Sequence, residues 1–150
     1  MASIAQKSLF EWNDLEHLGD LDLLALVLAT IPDEALMKAL EKKRGGGRDD
    51  YPIRAMWNRY LAGIGFQSAS IESLKRELLR NGQLRQVCGF DPTQGTAAVT
   101  SASAYSRFLS RLMQKPYQGM VKQLFQTLVE HWYQESSEFG QQLGIDGKAI

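Results

Sequence analysis

The sequence has few of the residues from which disulfides, metal sites and catalytic triads are built. Its 150 residues include one cysteine, Cys88, and two histidines, His17 and His131. A single cysteine excludes an internal disulfide and a zinc site with several cysteines, and we interpret Cys88 as a small core residue. Two isolated histidines argue against a histidine metal site and a Ser-His-Asp triad.

The chain also lacks long hydrophobic runs. Its longest apolar stretch, residues 23–31, is much shorter than the roughly 20 residues that a membrane span requires. The N-terminus has no basic region followed by an apolar one, so no signal peptide is predicted. A content of 44% hydrophobic and 23% charged residues is typical of a soluble globular chain. We expect one cytoplasmic domain by length, with no membrane association.

The net charge of zero conceals an uneven distribution along the chain. Residues 41–122 carry fourteen Lys/Arg and six Asp/Glu, a net charge of +8, whereas residues 1–40 carry −5 and residues 123–150 carry −3. A basic middle section between acidic ends favours a nucleic-acid-binding protein. The alternative is that these bases only solvate helix surfaces and pair with the acidic ends.

The stretch 48–90 predicts two helices and a short third element. Pro52 suits a first helical turn, and apolar residues then recur at helical spacing. They are Ile53, Met56, Trp57, Tyr60, Leu61 and Ile64. The spacing assigns Arg54, Asn58 and Arg59 to the opposite, solvent-facing side. Glycine and serine near Phe66 are predicted to break this helix.

Ser70 is predicted to cap the second helix, which would end at Asn81-Gly82. Leu74 and Leu78 face the core in this pattern, whereas Lys75, Arg76 and Arg80 face solvent. A short element with Leu84 and Cys88 follows. Two helices with a short break and a basic outer face suggest a helix-turn-helix-like unit.

A later helix, capped by Ser101 or Ser103, separates apolar from polar residues. Its buried side would contain Tyr105, Phe108, Leu109 and Leu112. Its other side carries Ser103, Ser106, Arg107 and Arg111, which suits a helix entering a DNA major groove. A solvated surface of serine and arginine would have the same spacing, so that interpretation stays open.

The remaining segments predict further helices and connections. Apolar patterns predict helices over 20–31, 35–40 and 117–135, with a polar loop at 91–99. The first of these is apolar on nearly all sides, which predicts packing on two faces or burial in an assembly. Residues 42–48, including Arg44 and Arg48, form a basic linker that either follows a DNA backbone or only joins helices. The three glycines of this linker lack the Lys-Ser/Thr of a P-loop.

The last twelve residues, 139–150, leave the helical period and are predicted to begin a strand. Asp146-Gly147 lies within them. Taken alone, such a pair is an ordinary turn dipeptide.

Together these motifs resemble the all-helical N-terminal domain of bacterial insertion-sequence transposases. The resemblance rests on Tyr51-Pro52-x-Arg54, on Gly-x-Gly-Phe at 63–66, on Cys88-Gly89-Phe90 and on the Ser-x-x-Ser-Arg-Phe pattern at 103–108. The sequence at 143–148 is similar to the first strand of the family's RNase H-like catalytic core. The loop at 92–100 departs from the pattern, because it lacks the usual proline before the serine-rich helix.

The resemblance implies an all-α bundle over residues 1–138 that binds double-stranded DNA, followed at 139–150 by the start of a truncated RNase H-like domain. It implies recognition of inverted repeats at the element ends, and a homodimer is a further expectation. The side chains expected at DNA are Ser103, Ser106, Arg107, Arg111, Lys75, Arg76, Arg80, Arg44 and Arg48.

The resemblance also identifies Asp146 as the first of three metal-binding acids in these transposases. A pair of Mg²⁺ ions needs carboxylates from several strands. With one such acid, the 150-residue chain is expected to be inactive and to hold no cofactor, whereas a longer protein would use Mg²⁺. Two alternatives are a stand-alone helix-turn-helix regulator and a helical protein-interaction module whose partner face would be residues 117–133.

Overall fold

A computed structural model describes residues 19–44 and 51–135, and all regular structure within these ranges is helical. This confirms the all-α prediction for the described part of the chain. The strand expected within 139–150 lies outside it. Seven α-helices and one 3₁₀ segment (Pro92–Ala98, between α5 and α6) are described; the helices are α1 (Asp20–Thr30), α2 (Glu34–Arg44), α3 (Ile53–Gly65), α4 (Ile71–Arg80), α5 (Gly82–Cys88), α6 (Ala102–Leu112) and α7 (Tyr117–Glu135).

Helix α3 lies at the centre because it contributes to two hydrophobic cores. Its small residues Ala55 and Ala62 belong to the first core, with side chains of α1, α4, α5 and the segment that follows α5. Its larger residues Met56, Trp57 and Leu61 belong to the second core, with α2, α6 and Tyr117 of α7. Small side chains let neighbouring helices approach closely on one side, while the aromatic side fills a wider space.

Two polar residues of α3 that were predicted to face solvent are buried, so this prediction is wrong in part. Asn58 and Arg59 are buried, and only Arg54 of that predicted side is partly exposed. The Asn58 Nδ2 atom donates to the Cys88 carbonyl at 3.1 Å. The helical period indicates one apolar face, but a helix between two cores has little surface left for solvent.

The connection from α3 to α4 is a tight turn with a residue in the left-handed region. Gln67 has φ 49°, the amide of Gln67 donates to the Ile64 carbonyl at 3.1 Å, and that of Ser68 donates to Gly63 at 3.0 Å. This pair of bonds is a Schellman ending. A Cβ on Gly63 would lie 3.1 Å from Leu74 Cδ2, so glycine lets α3 and α4 approach closely here.

Helix α4 begins and ends with side-chain caps. The Ser70 hydroxyl accepts from the Ser73 amide at 3.1 Å, and the Ser73 hydroxyl accepts from the Ser70 amide at 3.2 Å. At the other end, the Asn81 carboxamide oxygen accepts from the Leu84 amide at 3.0 Å and so begins α5. Arg85 of α5 donates from Nη1 to the carbonyls of Leu78 and Leu79 at 2.8 and 2.9 Å. The predicted start at Ser70 and end at Asn81 are confirmed.

Helix α1 is less buried than its apolar sequence predicts. Leu21 and Leu24 are buried, whereas Leu23 and Leu26 are 66% and 60% exposed. Within the described residues, α1 packs mainly against α3 and α5, which cover one side of it. Among the helices of the described ranges, none has the length and hydropathy to cross a membrane.

Candidate nucleic-acid interface

Helix α6 has the two sides that its sequence predicts. The Ser101 hydroxyl caps it by accepting from the Ala104 amide at 3.2 Å. Tyr105, Phe108 and Leu112 are buried in the second core, which confirms the predicted core side. The opposite side is exposed over about two turns and consists of Ser103, Ser106, Arg107 and Ser110. The side chains available for a ligand are therefore short hydroxyls and a guanidinium.

The two arginines of α6 differ in exposure. Arg107 is exposed, whereas Arg111, one turn later, is half-buried. Within the described residues, neither forms an ion pair. Arg107 is therefore the cation that α6 presents most openly.

Helix α4, which carries the second predicted set of bases, packs against α6. Arg76 is exposed and Lys75 is half-buried. Arg80 is 72% exposed and forms an ion pair with Glu77, one turn earlier. The hydrogen bond from Arg80 lowers the pKa of the Glu77 carboxyl and raises the pKa of Arg80. The Arg80 charge is therefore partly neutralised within its own helix.

The remaining predicted site residues lie elsewhere. Arg44 ends α2 and donates from Nη1 to the Tyr51 carbonyl at 2.8 Å, which ties the end of α2 to the beginning of α3. Arg48 and Asp146 lie outside the described residues. The structure thus places two of the predicted sets on helices that pack against each other, α4 and α6, and places Arg44 at the end of a third helix, α2.

Several bases that give the middle of the chain its positive charge have structural partners. Arg54 contacts Asp33 at 2.5 Å and Glu34 at 3.1 Å. Arg85 binds carbonyl groups of α4, and Arg59 is buried. The count of bases therefore overstates the charge available to a polyanion.

Arg59 is the residue whose role the sequence did not indicate. Its Nη1 atom donates to the Thr100 hydroxyl at 2.7 Å and to the Thr100 carbonyl at 3.3 Å. Its guanidinium carbon lies 3.8 Å from the centroid of the Tyr105 ring, a cation–π contact. In the described part of the chain, the Nε and Nη2 atoms have no hydrogen-bond partner. A helical period does not distinguish such an arginine from a solvated one.

Burial shifts the pKa values of the groups around Arg59. Desolvation lowers the pKa of Arg59, and the nearby Tyr105 opposes this shift. Desolvation raises the pKa of the Tyr105 hydroxyl and of the Cys88 thiol to about 12 each, and Arg59 opposes both shifts. The Cys88 thiol stays protonated at neutral pH, which agrees with the interpretation of Cys88 as a core residue.

No group of three or more His, Cys, Asp and Glu side chains that could hold a metal ion occurs among residues 19–44 and 51–135.

Comparison with known families decides the assignment. Residues 9–111 match the family model described as Transposase domain (DUF772). The chain belongs to this family of transposase domains. The match includes helices α1 to α5 and α6 as far as Arg111, and it leaves α7 outside. No curated protein and no solved structure matches the chain.

Proposed function

We propose that this transposase domain binds double-stranded DNA and recognises the inverted repeats at the ends of an insertion sequence, with α6 as the recognition helix. The observation that carries the proposal is the exposed face of α6, where Ser103, Ser106 and Arg107 lie at helical spacing on a capped helix. Membership of a transposase-domain family supports the same conclusion.

The chemistry of the two helices supports a division of roles. An exposed arginine on a groove-bound helix can bind guanine with two hydrogen bonds, and serine can bind a base edge or a phosphate. Arg107 and Arg111 would contact bases or phosphates, with Ser103 and Ser106 at the beginning of the helix. Lys75, Arg76 and Arg80 of α4 would bind phosphates beside α6. Helices α3 and α4, joined by the turn at Gln67, would form the helix-turn-helix-like unit.

The catalytic part of the proposal depends on Asp146, which lies outside the described residues. We propose that Asp146 is the first metal-binding acid of an RNase H-like core and acts only in a longer protein that supplies the other acids. Mg²⁺ would bind there and polarise the phosphodiester. The 150-residue chain alone should not cleave DNA.

The test is binding of the full 150-residue chain to duplex DNA over a series of salt concentrations. Duplexes enriched from a random pool should bind more tightly than unselected ones. The logarithm of affinity should fall linearly with the logarithm of salt concentration, with a slope of about −0.9 per phosphate contact. Equal affinity for all duplexes would contradict sequence recognition. An enriched sequence that is palindromic and unlike a transposon end would favour a stand-alone regulator.

A second candidate function, a protein-interaction module, is favoured by the exposed apolar side chains of α1. Leu23, Leu26 and Val27 are all exposed, and adjacent exposed apolar residues are common at association surfaces. Sedimentation equilibrium would detect self-association. A concentration-dependent homodimer without DNA affinity at low salt would support this function over DNA recognition.

A further inference from the structure

We infer that Arg59 is a positioning residue that controls the sequence discrimination of α6 without itself touching DNA. The inference rests on the proposed function, and it adds a residue of the core to those that determine specificity. Three contacts carry it, two to Thr100 and one to Tyr105.

These contacts lie at the two ends of the first turn of α6, one just before the helix begins and one at the end of that turn. Thr100 immediately precedes the capping residue Ser101, and it is fully buried. Tyr105 lies four residues after Ser101, on the buried side of the same turn. Arg59 extends from the middle of α3. Its guanidinium therefore joins the central helix to the N-terminal end of α6, where Ser103 and Ser106 begin the exposed face.

The chemistry of the Arg59 contacts indicates that Arg59 positions α6 and does not only stabilise the core. In the described part of the chain, no carboxylate bonds to the Arg59 guanidinium, and two of its nitrogens lack partners. An apolar side chain of similar length would fill this space without the cost of desolvating a charge. The planar guanidinium supplies directional bonds that an apolar side chain lacks. These bonds hold Thr100, and with it the beginning of α6, in a fixed position against α3.

A small displacement of α6 would affect base contacts more than phosphate contacts. Hydrogen bonds to base edges need close distances and good angles, whereas attraction to the phosphate backbone depends weakly on orientation. Loosening the beginning of α6 should therefore reduce the preference for the selected sequence and leave affinity for random DNA nearly unchanged. Because Arg59 is fully buried, its removal should not change the number of counterions released.

The experiment compares three variants of the full chain, Arg59→Met, Thr100→Val and Thr100→Ser. Thr100→Val keeps the shape of the side chain and removes the hydroxyl that accepts at 2.7 Å, whereas Thr100→Ser retains the hydroxyl and serves as the control. Each variant binds a duplex selected with the unmodified chain and an unselected duplex, at a temperature where circular dichroism shows it folded.

We expect the ratio of the two affinities to fall by roughly tenfold, comparable to a mismatched base pair, in Arg59→Met and Thr100→Val. The ratio should be unchanged in Thr100→Ser, and the salt slope unchanged in all three. If Arg59→Met does not fold, Thr100→Val decides the outcome. An unchanged ratio in folded Thr100→Val, or equal losses on both duplexes, would overturn the inference alone. An unmodified chain without any sequence preference would overturn the proposed function as well.

Discussion

The Asp33 carboxylate, in the turn between α1 and α2, accepts a hydrogen bond from the Trp57 indole nitrogen at 2.6 Å in the middle of the second core. Its other oxygen accepts from Arg54 Nη1 at 2.5 Å. Asp33 is buried, as is Trp57. One carboxylate thus joins the beginning of α2 to two successive turns of α3.

Replacing Asp33 should destabilise the fold strongly. Asp33→Ala leaves the Trp57 N–H buried without an acceptor and removes the partner of Arg54, so we expect a loss of about 2–4 kcal/mol in the free energy of unfolding. Asp33→Asn keeps an acceptor and should lose less. Urea denaturation monitored by Trp fluorescence measures both. As a control, Glu34→Gln changes the exposed second partner of Arg54 and should cost about 0–1 kcal/mol. Equal losses for Asp33→Ala and Glu34→Gln would contradict this account.

Gln67 and Gly89 occupy equivalent positions after α3 and α5, both with positive φ, 49° and 88°. A residue with a Cβ atom loses about 1–2 kcal/mol of stability in the left-handed region. Glycine avoids this cost, but it loses more backbone entropy on folding, so the net gain from glycine is smaller. Gln67→Gly should therefore raise the free energy of unfolding by about 0.5–1 kcal/mol. The reverse change, Gly89→Ala, should lower it by about 1 kcal/mol. Thermal denaturation of both variants measures the two effects, and a destabilising Gln67→Gly would show that the Gln67 side chain has a stabilising contact.

Removing the carboxylate of Glu77 should strengthen binding to random DNA. Glu77→Gln frees Arg80 from its ion pair and removes a negative charge from the helix next to α6. If α4 lies along the phosphate backbone, the salt slope should become steeper by up to about 0.9. Fluorescence anisotropy at several salt concentrations measures the slope. Glu130→Gln, an equivalent charge change on α7, is the control and should not alter it. An unaltered slope in Glu77→Gln would remove Arg80 from the interface.

Arg107 and Arg76 should respond differently to replacement by alanine. Arg107→Ala should cost about 1–3 kcal/mol on the selected sequence and less on random duplexes, because Arg107 is expected to bind a base. Arg76→Ala should weaken binding to all sequences and make the salt slope about 0.9 less steep. Lys38→Ala on α2 is a control for loss of charge outside the α4 and α6 helices. If Arg107→Ala weakens all sequences equally, Arg107 binds only a phosphate.

The stability of the domain should fall at alkaline pH because of Tyr105. Burial raises the pKa of Tyr105 from 10.0 to about 12, so between these values the folded chain keeps a proton that the unfolded chain releases. The stabilisation is complete below pH 10 and is lost as the pH rises to 12. Tyr105→Phe keeps the ring over Arg59, and between pH 9 and pH 12 it should lose about 2 kcal/mol less stability than the unmodified chain. Urea denaturation across this pH range measures the free energy of unfolding of both chains. Cys88 is present in both, so its contribution cancels in the difference between them. Parallel pH profiles would show that Tyr105 ionises normally.

The helices could be predicted because their apolar spacing is regular and their ends carry clear signals. Ser70, Asn81 and Ser101 are side-chain caps, as their residue types predict, and α7 runs from Tyr117 to Glu135 as its apolar stripe predicts. These features depend on neighbours in the chain. The stretch 91–99, predicted as a polar loop, contains the 3₁₀ segment, because Asp91 accepts from the Thr93 amide at 2.9 Å and begins a turn.

The buried polar contacts could not be predicted because they join distant parts of the chain. Arg59 meets Thr100 across 41 residues, and Asp33 meets Trp57 across 24. No spacing within α3 distinguishes Arg59 from the partly exposed Arg54. For the candidate interface, the sequence indicated the exposed face of α6. The Arg80–Glu77 ion pair reduces the charge of the adjacent helix, and its spacing of three residues on one helix can be read from the sequence.

The junction between α4 and α5, formed by Asn81 and Arg85, determines how these two helices unfold locally. Arg85 binds the last carbonyls of α4, and Asn81 both ends α4 and caps α5. Fraying at either helix end therefore breaks the bonds of the other, so the two helices should exchange their amide hydrogens as one cooperative unit. Any rearrangement on DNA binding should therefore move α4 and α5 together, as one unit.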